Sequence, residues 1–256
     1  MGTPLITISV VSHGQIDMVS NLLRDIEKNC RDSAIQLLLT LNLDETLPFE
    51  MTEFSFPIRV VRNAAPLGFA ANHNQAFTYS VGQYFCVLNP DIRLARDPFQ
   101  ILLKCFEDSS VGVAAPLVLG ENGAIENSVR RFPSPLKILC KVFGGCKGAD
   151  YEIGDKLVYP DWAGGMFLLI PRDVYAKVGG FDQRYFLYYE DVDLCARLRL
   201  MGYEIVMSPH AQVTHLAQRS SHRSFKYLSW HLRSMMRFFL SSVYRRLAWR
   251  KIKIVG

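Results

Sequence analysis

Nowhere in its 256 residues does the chain approach the roughly 20 consecutive apolar residues that a bilayer-spanning helix needs. The opening residues, Met1 to Ile6, place no basic stretch ahead of an apolar one. Neither a signal peptide nor a transmembrane anchor is therefore expected. The six cysteines (Cys30, Cys86, Cys105, Cys140, Cys146, Cys195) form no CxxC pair and no metal-ligand spacing. Most sit among apolar neighbours, as buried thiols of a reducing compartment do, which points to the cytoplasm. Internal repeats and low-complexity segments are also absent. After Glu204 there is no acidic residue, whereas ten Lys and Arg follow it, so the preceding chain carries −5 of a net charge of +5. A basic tail on a mildly acidic body implies an anionic partner for the tail alone.

What is present is a 49% apolar composition, enough for a substantial core in one large α/β domain or two small ones. Short apolar runs alternate with helical patterns through the first half. Leu5–Ser12, Ile35–Leu41, Ile58–Arg62, Tyr84–Leu88 and Val111–Ala115 read as strands; Met18–Asn29, Gly68–Ser80 and Pro98–Asp108 read as helices. Strands without polar alternation, separated by helices, predict a parallel sheet covered on both faces. The stretch 120–160, rich in Gly, Pro and charge, reads as loops around one short helix near Leu136–Val142. Regular structure resumes with a strand at Gly165–Ile170, a helix opened by Pro171, a helix at Asp191–Met201 ended by Gly202, and a strand at Tyr203–Met207. From Phe225 to Leu247 apolar residues recur at three- and four-residue steps, a single helical stripe.

Several groups of residues have the chemistry of a site. Asn89-Pro90-Asp91 follows an apolar strand, and ligands of open parallel sheets bind at the carboxyl ends of strands. A carboxylate there suits a hard divalent cation on a diphosphate, and equally a cap or turn. Glu190, Asp191 and Asp193 crowd three acids into four positions behind an aromatic segment. Acids at a helix start cap N–H groups and complement the dipole; one of them is also placed to take a proton from a hydroxyl. Gly68 sits where a loop enters a helix, a phosphate-accepting geometry or a plain turn. Gly164 and Gly165, before a strand, permit close backbone approach to a ligand, or make a tight turn. His215, alone, reads as a packing residue.

The order of these groups is more telling than any one of them. Ser12-His13-Gly14, the Gly68–Asn74 segment, Leu88–Ile92, Trp162–Phe167, the Gly180–Cys195 segment with its acids, and a late histidine follow one another along nearly the whole chain. This order resembles the GT-A-fold family 2 glycosyltransferases. Val129–Pro133 and Trp230–Ser234 bring it closest to bacterial rhamnosyltransferases that extend undecaprenyl-diphosphate-linked N-acetylglucosamine in O-antigen assembly.

The resemblance implies a GT-A, Rossmann-like fold: a mostly parallel central sheet flanked by helices, with an amphipathic helical extension. Residues 1–218 would form the catalytic domain, with a nucleotide-sugar-binding half to about 115 and an acceptor-binding half from 116. Residues 219–256 would be a basic, membrane-associating tail, its first half packed and Arg245–Lys253 on lipid. Asp191 would be the base of an inverting displacement. Asp91, the last acid of the family's DXD motif, and His215 would hold Mg²⁺ or Mn²⁺; Asn89 replaces the motif's first acid, leaving the metal fewer charged ligands. Ser12, His13, Asn42, Gly68, Asn72, Asn74 and Asn89 would face the donor, with Asn42 at the nucleobase. Trp162, Gly164, Gly165, Glu190, Arg130 and Arg131 would face the acceptor. The implied partners are dTDP-rhamnose, a lipid-linked saccharide and an anionic membrane surface on the inner face of the cytoplasmic membrane; no nucleic acid is expected. A non-catalytic nucleotide-sugar-binding module is the rival reading, and three crowded acids speak against it. A nucleotidyltransferase would want a cation soon after the first strand, which Ser12–Gln15 does not offer.

Overall fold

The structure, a computed structural model, describes residues 4–142, 145, 148–216 and 225–255. In chain order the elements are β1 (Ile6–Ser12), α1 (Ile16–Asn29), β2 (Ile35–Leu41), β3 (Ile58–Arg62), α2 (Phe69–Phe77), β4 (Tyr84–Leu88), β5 (Ile92–Arg93), α3 (Phe99–Lys104) and β6 (Val111–Gly120). There follow β7 (Val129–Arg130), α4 (Pro135–Val142), β8 (Trp162–Ala163), β9 (Phe167–Pro171), α5 (Arg172–Val178), α6 (Glu190–Leu200), β10 (Glu204–His215), α7 (Phe225–Leu240) and α8 (Ser242–Val255).

Eight strands form one sheet in the order β3-β2-β1-β4-β9-β6-β10-β5, and β7 pairs with β8 in a small ribbon. β1 runs parallel to β2 and β4, β2 to β3, and β6 to β10. The sheet is thus the α/β arrangement that the alternating pattern implies, with two reversals it does not. β9 lies antiparallel between β4 and β6, and β5 lies antiparallel on the end of β10. β6 and β10 are also longer than their apolar runs. Their pairing carries past a register shift between Ser208 and Gln212, beside the pairing of Pro116 with Ser208. A bulge tolerates a proline that an unbroken central ladder would not.

Alternate residues of the central strands feed two cores. Cys86, Leu88, Phe167 and Leu169 join Val19, Leu22, Leu23 and Ile26 of α1 on one face. Phe85, Val87, Leu168 and Ile170 pack with Leu194, Leu198 and the helices of the other face. The period-2 alternation of a strand makes this division. α5 follows Pro171 and ends on Gly179 at φ +80°, the left-handed residue that stops a helix.

The C-terminal helices are part of the second core. Phe238 of α7 is fully buried there, Leu247 of α8 nearly so, and Ser234 Oγ donates to the Leu187 carbonyl at 2.9 Å. Side chains from Arg250 to Lys253 lie outside the described residues. Truncating a buried phenylalanine removes transfer energy and leaves a cavity. Phe238→Ala is therefore expected to lower unfolding free energy by about 3 kcal/mol or more in urea titrations. A variant as stable as the parent would show α7 to be a free tail.

Candidate active site

Because β9 reverses twice between its neighbours, β1, β2, β3, β4, β6 and β10 all point the same way. Their carboxyl ends present Ser12, Asn42, Asn63, Asn89, Gly120 and His215 along one edge of the sheet. That edge is where an open α/β sheet binds its ligand.

At the β1 end, the loop is held by an acid that the sequence reading passed over. Glu45 accepts from Ser12 Oγ (2.8 Å), Gly14 N–H (3.0 Å) and Ile16 N–H (3.2 Å). It stands in for the side-chain cap that Gln15 does not supply to α1. Asn42 is buried beside it, and its amide orientation is fixed. Leu67 N–H donates to Oδ1 at 2.8 Å, so Nδ2 must be the atom facing the Leu67 carbonyl and His13 Nδ1, both at 2.9 Å. His13 therefore accepts at Nδ1 and carries its proton at Nε2. Asn63 Nδ2 bridges Asn42 Oδ1 (2.8 Å) and Asn72 Oδ1 (2.6 Å), while Asn72 donates to the Leu67 and Gly68 carbonyls. Asn42 and Asn72 thus shape the Pro66–Gly68 loop, and exposed His13 presents the outward proton. Asn74 lies elsewhere: its Oδ1 accepts from Tyr175 Oη and Phe181 N–H, and its Nδ2 donates to the Phe181 carbonyl. It anchors the 180s loop. Gly68 meets that loop too, since a Cβ there would fall 2.6 Å from the Phe186 carbonyl oxygen.

Farther along the edge, β5 brings Asp91 beside His215 by pairing Ile92 with His215 and Arg93 with Thr214, and Leu216 N–H donates to the Asp91 carbonyl at 2.8 Å. A bidentate ion pair of Arg93 with Asp25 of α1 (2.6 and 2.9 Å) holds β5 in place. Asp91 Oδ2 is 3.2 Å from His215 Nε2. His215 Nδ1 in turn lies 2.9 Å from Glu126, delivered by the turn at Gly120–Ala124 after β6. The hydrogen bond to Asp91, helped by Glu126, pushes the His215 pKa up to about 9. Asp91 Oδ1 is buried without a hydrogen-bond partner. An orphaned carboxylate oxygen beside an imidazole whose other nitrogen faces a carboxylate is a donor set that fits a divalent ion. Among the described residues no group of three or more such side chains makes a preformed cage, so other ligands would have to complete the shell.

Asp191 opens α6. Its Oδ2 accepts from Gly165 N–H at 2.9 Å and its Oδ1 from Val192 N–H at 2.8 Å. Next to Gly165, the Met166 carbonyl accepts from Asn89 N–H at 2.9 Å. Two adjoining residues thus tie the loop of Asp91 to the carboxylate of Asp191. A Cβ at position 165 would sit 3.2 Å from the Phe69 ring and 3.6 Å from Asp191 Cβ, so a larger residue there would press on the Phe69 ring. Gly164 N–H donates to the Ser128 carbonyl at 2.8 Å, supporting the β7–β8 ribbon.

That ribbon, α6 and α7 enclose a cavity of about 620 Å³. Arg130, Arg131, Trp162, Glu190 and Asp191 meet in its wall, with Lys137, Tyr188, Tyr189 and His231. Arg130 lies 5.7 Å from the Trp162 ring centroid. Tyr188 and Tyr189 both hold positive φ (69° and 67°), a strained turn that aims the start of α6. His231 packs edge-on against both rings at 5.2 and 5.5 Å and is kept below the usual imidazole range by burial. Burial also raises Glu190 and Asp191, and Glu190 further feels the charge of Asp191. Asp191 has the backbone N–H donors and Arg130 nearby, whereas Glu190 Oε2 has no partner. The N–H donors and Arg130 thus favour the charged form of Asp191, while burial and the neighbouring Asp191 disfavour that of Glu190. Asp193 points away, ion-paired at 2.7 Å with Arg197, and is structural.

Residues 44–153 match the model of Glycosyl transferase family 2, and residues 147–236 that of Glycosyltransferase like family 2. Rhamnosyltransferase WbbL of Escherichia coli (strain K12) is 27% identical over 91% of this chain and 92% of its own. An N-acetylglucosaminyl-diphospho-decaprenol L-rhamnosyltransferase of Mycobacterium tuberculosis (strain ATCC 25618 / H37Rv) is 31% identical over 56% of this chain, which spans 50% of that protein. Two solved structures share the fold. GalNAc-T7 with UDP, GalNAc and Mn²⁺ superposes with a TM-score of 0.64 at 14% identity, over 85% of this chain and 44% of that one. The mannosyltransferase PcManGT from Pyrobaculum calidifontis, with GDP-Man and Mn²⁺, gives 0.62 at 16% identity, over 93% and 65%. With two models of one family meeting across residues 44–236 and a GT-A-like fold around the acid cluster, the chain belongs to glycosyltransferase family 2.

Proposed function

We propose that the protein transfers L-rhamnose from dTDP-rhamnose, with inversion, onto a saccharide carried by a polyprenyl diphosphate of the undecaprenyl-diphosphate GlcNAc type. The observation that carries this reading is the tie through Gly165 and Met166. It sets Asp191 between the Asp91 edge and a cavity walled by Arg130, Arg131 and Lys137. The E. coli and M. tuberculosis relatives are both rhamnosyltransferases, which favours rhamnose, and the diphospho-decaprenol substrate of the latter favours a polyprenyl-diphosphate acceptor.

In this mechanism the ionised Asp191 removes the proton of the acceptor hydroxyl as that oxygen attacks the anomeric carbon from the side opposite the leaving diphosphate. The N–H groups of Gly165 and Val192 fix the carboxylate so that its proton affinity and direction are set before substrate arrives. Arg130 and Arg131 in the cavity wall suit the diphosphate of the acceptor, and Trp162 with the tyrosines suits sugar faces. Asp91 through Oδ1 and His215 through Nε2 would hold Mg²⁺ or Mn²⁺, which when bound supplies charge stabilisation for the departing nucleotide. Glu126, accepting from His215 Nδ1–H, orients the imidazole. On this reading a membrane-borne acceptor would be met at the inner face of the cytoplasmic membrane.

Asp191→Asn is expected to lower kcat by about a thousandfold while dTDP-rhamnose binding stays within twofold, roughly the share of a general base. Turnover near the parent level would sink the assignment. Glu126→Ala should weaken Mn²⁺ binding in the presence of dTDP by roughly tenfold or more, with Glu126→Gln much milder because an acceptor oxygen remains. Unchanged calorimetric affinity in the alanine variant would remove Glu126 from the site. Thermal-shift titration should rank dTDP-sugars above UDP- and GDP-sugars, and the opposite ranking would overturn the donor.

A further inference from the structure

α7 turns one face inward and another outward. Ser234 and Phe238 are buried, while Leu228, Leu232, Met236 and Leu240, each four residues from the next, are between 45% and 75% exposed. Four-residue spacing lines them up in one continuous apolar ridge along the helix. At one end, Leu228 stands in the wall of the cavity at Asp191. At the other, Met236 and Leu240 wall a second cavity of about 660 Å³, where Arg184, Arg233, Arg237 and Arg245 converge with Ser241 and Ser242.

The charges of that second cavity are unequally matched. Asp182 engages Arg184 through both carboxylate oxygens, and Asp193 in the cleft wall is ion-paired with Arg197. Among the described residues no carboxylate pairs with Arg233, Arg237 or Arg245, and no acid follows Glu204 in the chain. The first turn of α8 opens into the same cleft at Ser242 and Val243, and a helix N-terminus adds positive potential. A dissolved phosphate would use the arginines but not the ridge; a purely apolar partner would use the ridge but not the arginines. One class of molecule uses both, an amphiphile with an anionic head.

We infer that the cleft of Arg233, Arg237 and Arg245 binds the phosphodiester headgroup of an anionic phospholipid, with the Leu228–Leu240 ridge of α7 seated in the acyl boundary of the same leaflet. The lipid contact thereby lies on the outer face of α7 and the first turn of α8. The acceptor cavity, at the opposite end of the ridge, opens at the membrane surface. The purpose of this seating rests on the proposed lipid-linked acceptor, whereas the binding itself is measured without it.

The test is co-sedimentation of the full chain with phosphatidylcholine vesicles, with and without phosphatidylglycerol. Each arginine near an anionic surface contributes roughly fivefold, so R233Q/R237Q/R245Q is expected to bind phosphatidylglycerol vesicles about a hundredfold more weakly than the parent. The surface pair Met236→Ser and Leu240→Ser should weaken binding at least tenfold with an unchanged melting temperature, since both side chains face solvent. An excess of soluble glycerol phosphate should leave parent binding intact. Parent-like vesicle binding by either variant, or displacement by glycerol phosphate, would overturn the inference. Turnover on a water-soluble acceptor reports separately on the catalytic reading, because none of these residues touches the Asp191 site.

Discussion

The hydrogen bond from Gly165 N–H to Asp191 joins two parts of the protein that also meet through the sheet and where Gly68 and Phe69 touch Phe186. On one side lie the strand ends that carry Ser12, Asn42 and Asp91; on the other lie α6, the β7–β8 ribbon and the cavity. Gly165 and Met166 are consecutive, and each makes one backbone bond, the first to the carboxylate and the second to Asn89. The position of the Asp191 carboxylate relative to the Asp91 loop is therefore coupled through the turn of one dipeptide before β9. Backbone contacts of this kind hold a reactive group within fractions of an ångström. The steric case for glycine at 165 is the same constraint seen from Phe69.

Around that bond the structure concentrates features that elsewhere cost stability. Two adjacent tyrosines with positive φ precede α6, a buried glutamate follows them, and Glu190 Oε2 has no partner. Each of these is worth of order 1–3 kcal/mol against folding and persists only where neighbours over-determine it. The neighbours here are His231, Ser234 and Phe238 of α7, which pack on the two tyrosine rings and bind the Leu187 carbonyl. α7 is thus a support of the turn before Asp191.

Much of this was legible in the sequence, for reasons that also mark where legibility ends. Apolar runs identify buried strands, and an acid directly after such a run, as Asp91 is, lies at a carboxyl edge in any parallel arrangement; Asp191, at a helix start, stood out only through the order of the motifs along the chain. Glu45 and Glu126 could not be found this way. Each is one acid among several in a polar loop, and only the folded path of the chain decides whether Glu121 or Glu126 meets His215. The direction of β9 was equally hidden, because a strand buried on both faces has the same composition whichever way it runs. Asn42 illustrates the converse limit. Its position after β2 was evident, but its amide orients Leu67 and His13, and that depends on atoms brought from two other loops.

The helical periodicity of α7 raises a further point about how much one helix can do. A 3.6-residue repeat gives residues four apart nearly the same azimuth and residues two apart nearly opposite ones. Ser234 and Phe238 therefore share the inward azimuth, and Leu232, Met236 and Leu240 fall on the outward one without any departure from regular geometry. Arg233 and Arg237 fall beside the outward ridge, where their guanidinium groups reach the cleft shared with α8. Arg233 and Arg237 are exposed beside the ridge, so the outward side of the helix presents apolar and basic residues together. Among the described residues no helix is long and apolar enough to cross a membrane, and a ridge on a helix of this length would meet lipid lying along the interface. A helix lying flat keeps its inward face, and with it the strained turn before Asp191, at a fixed depth below that interface.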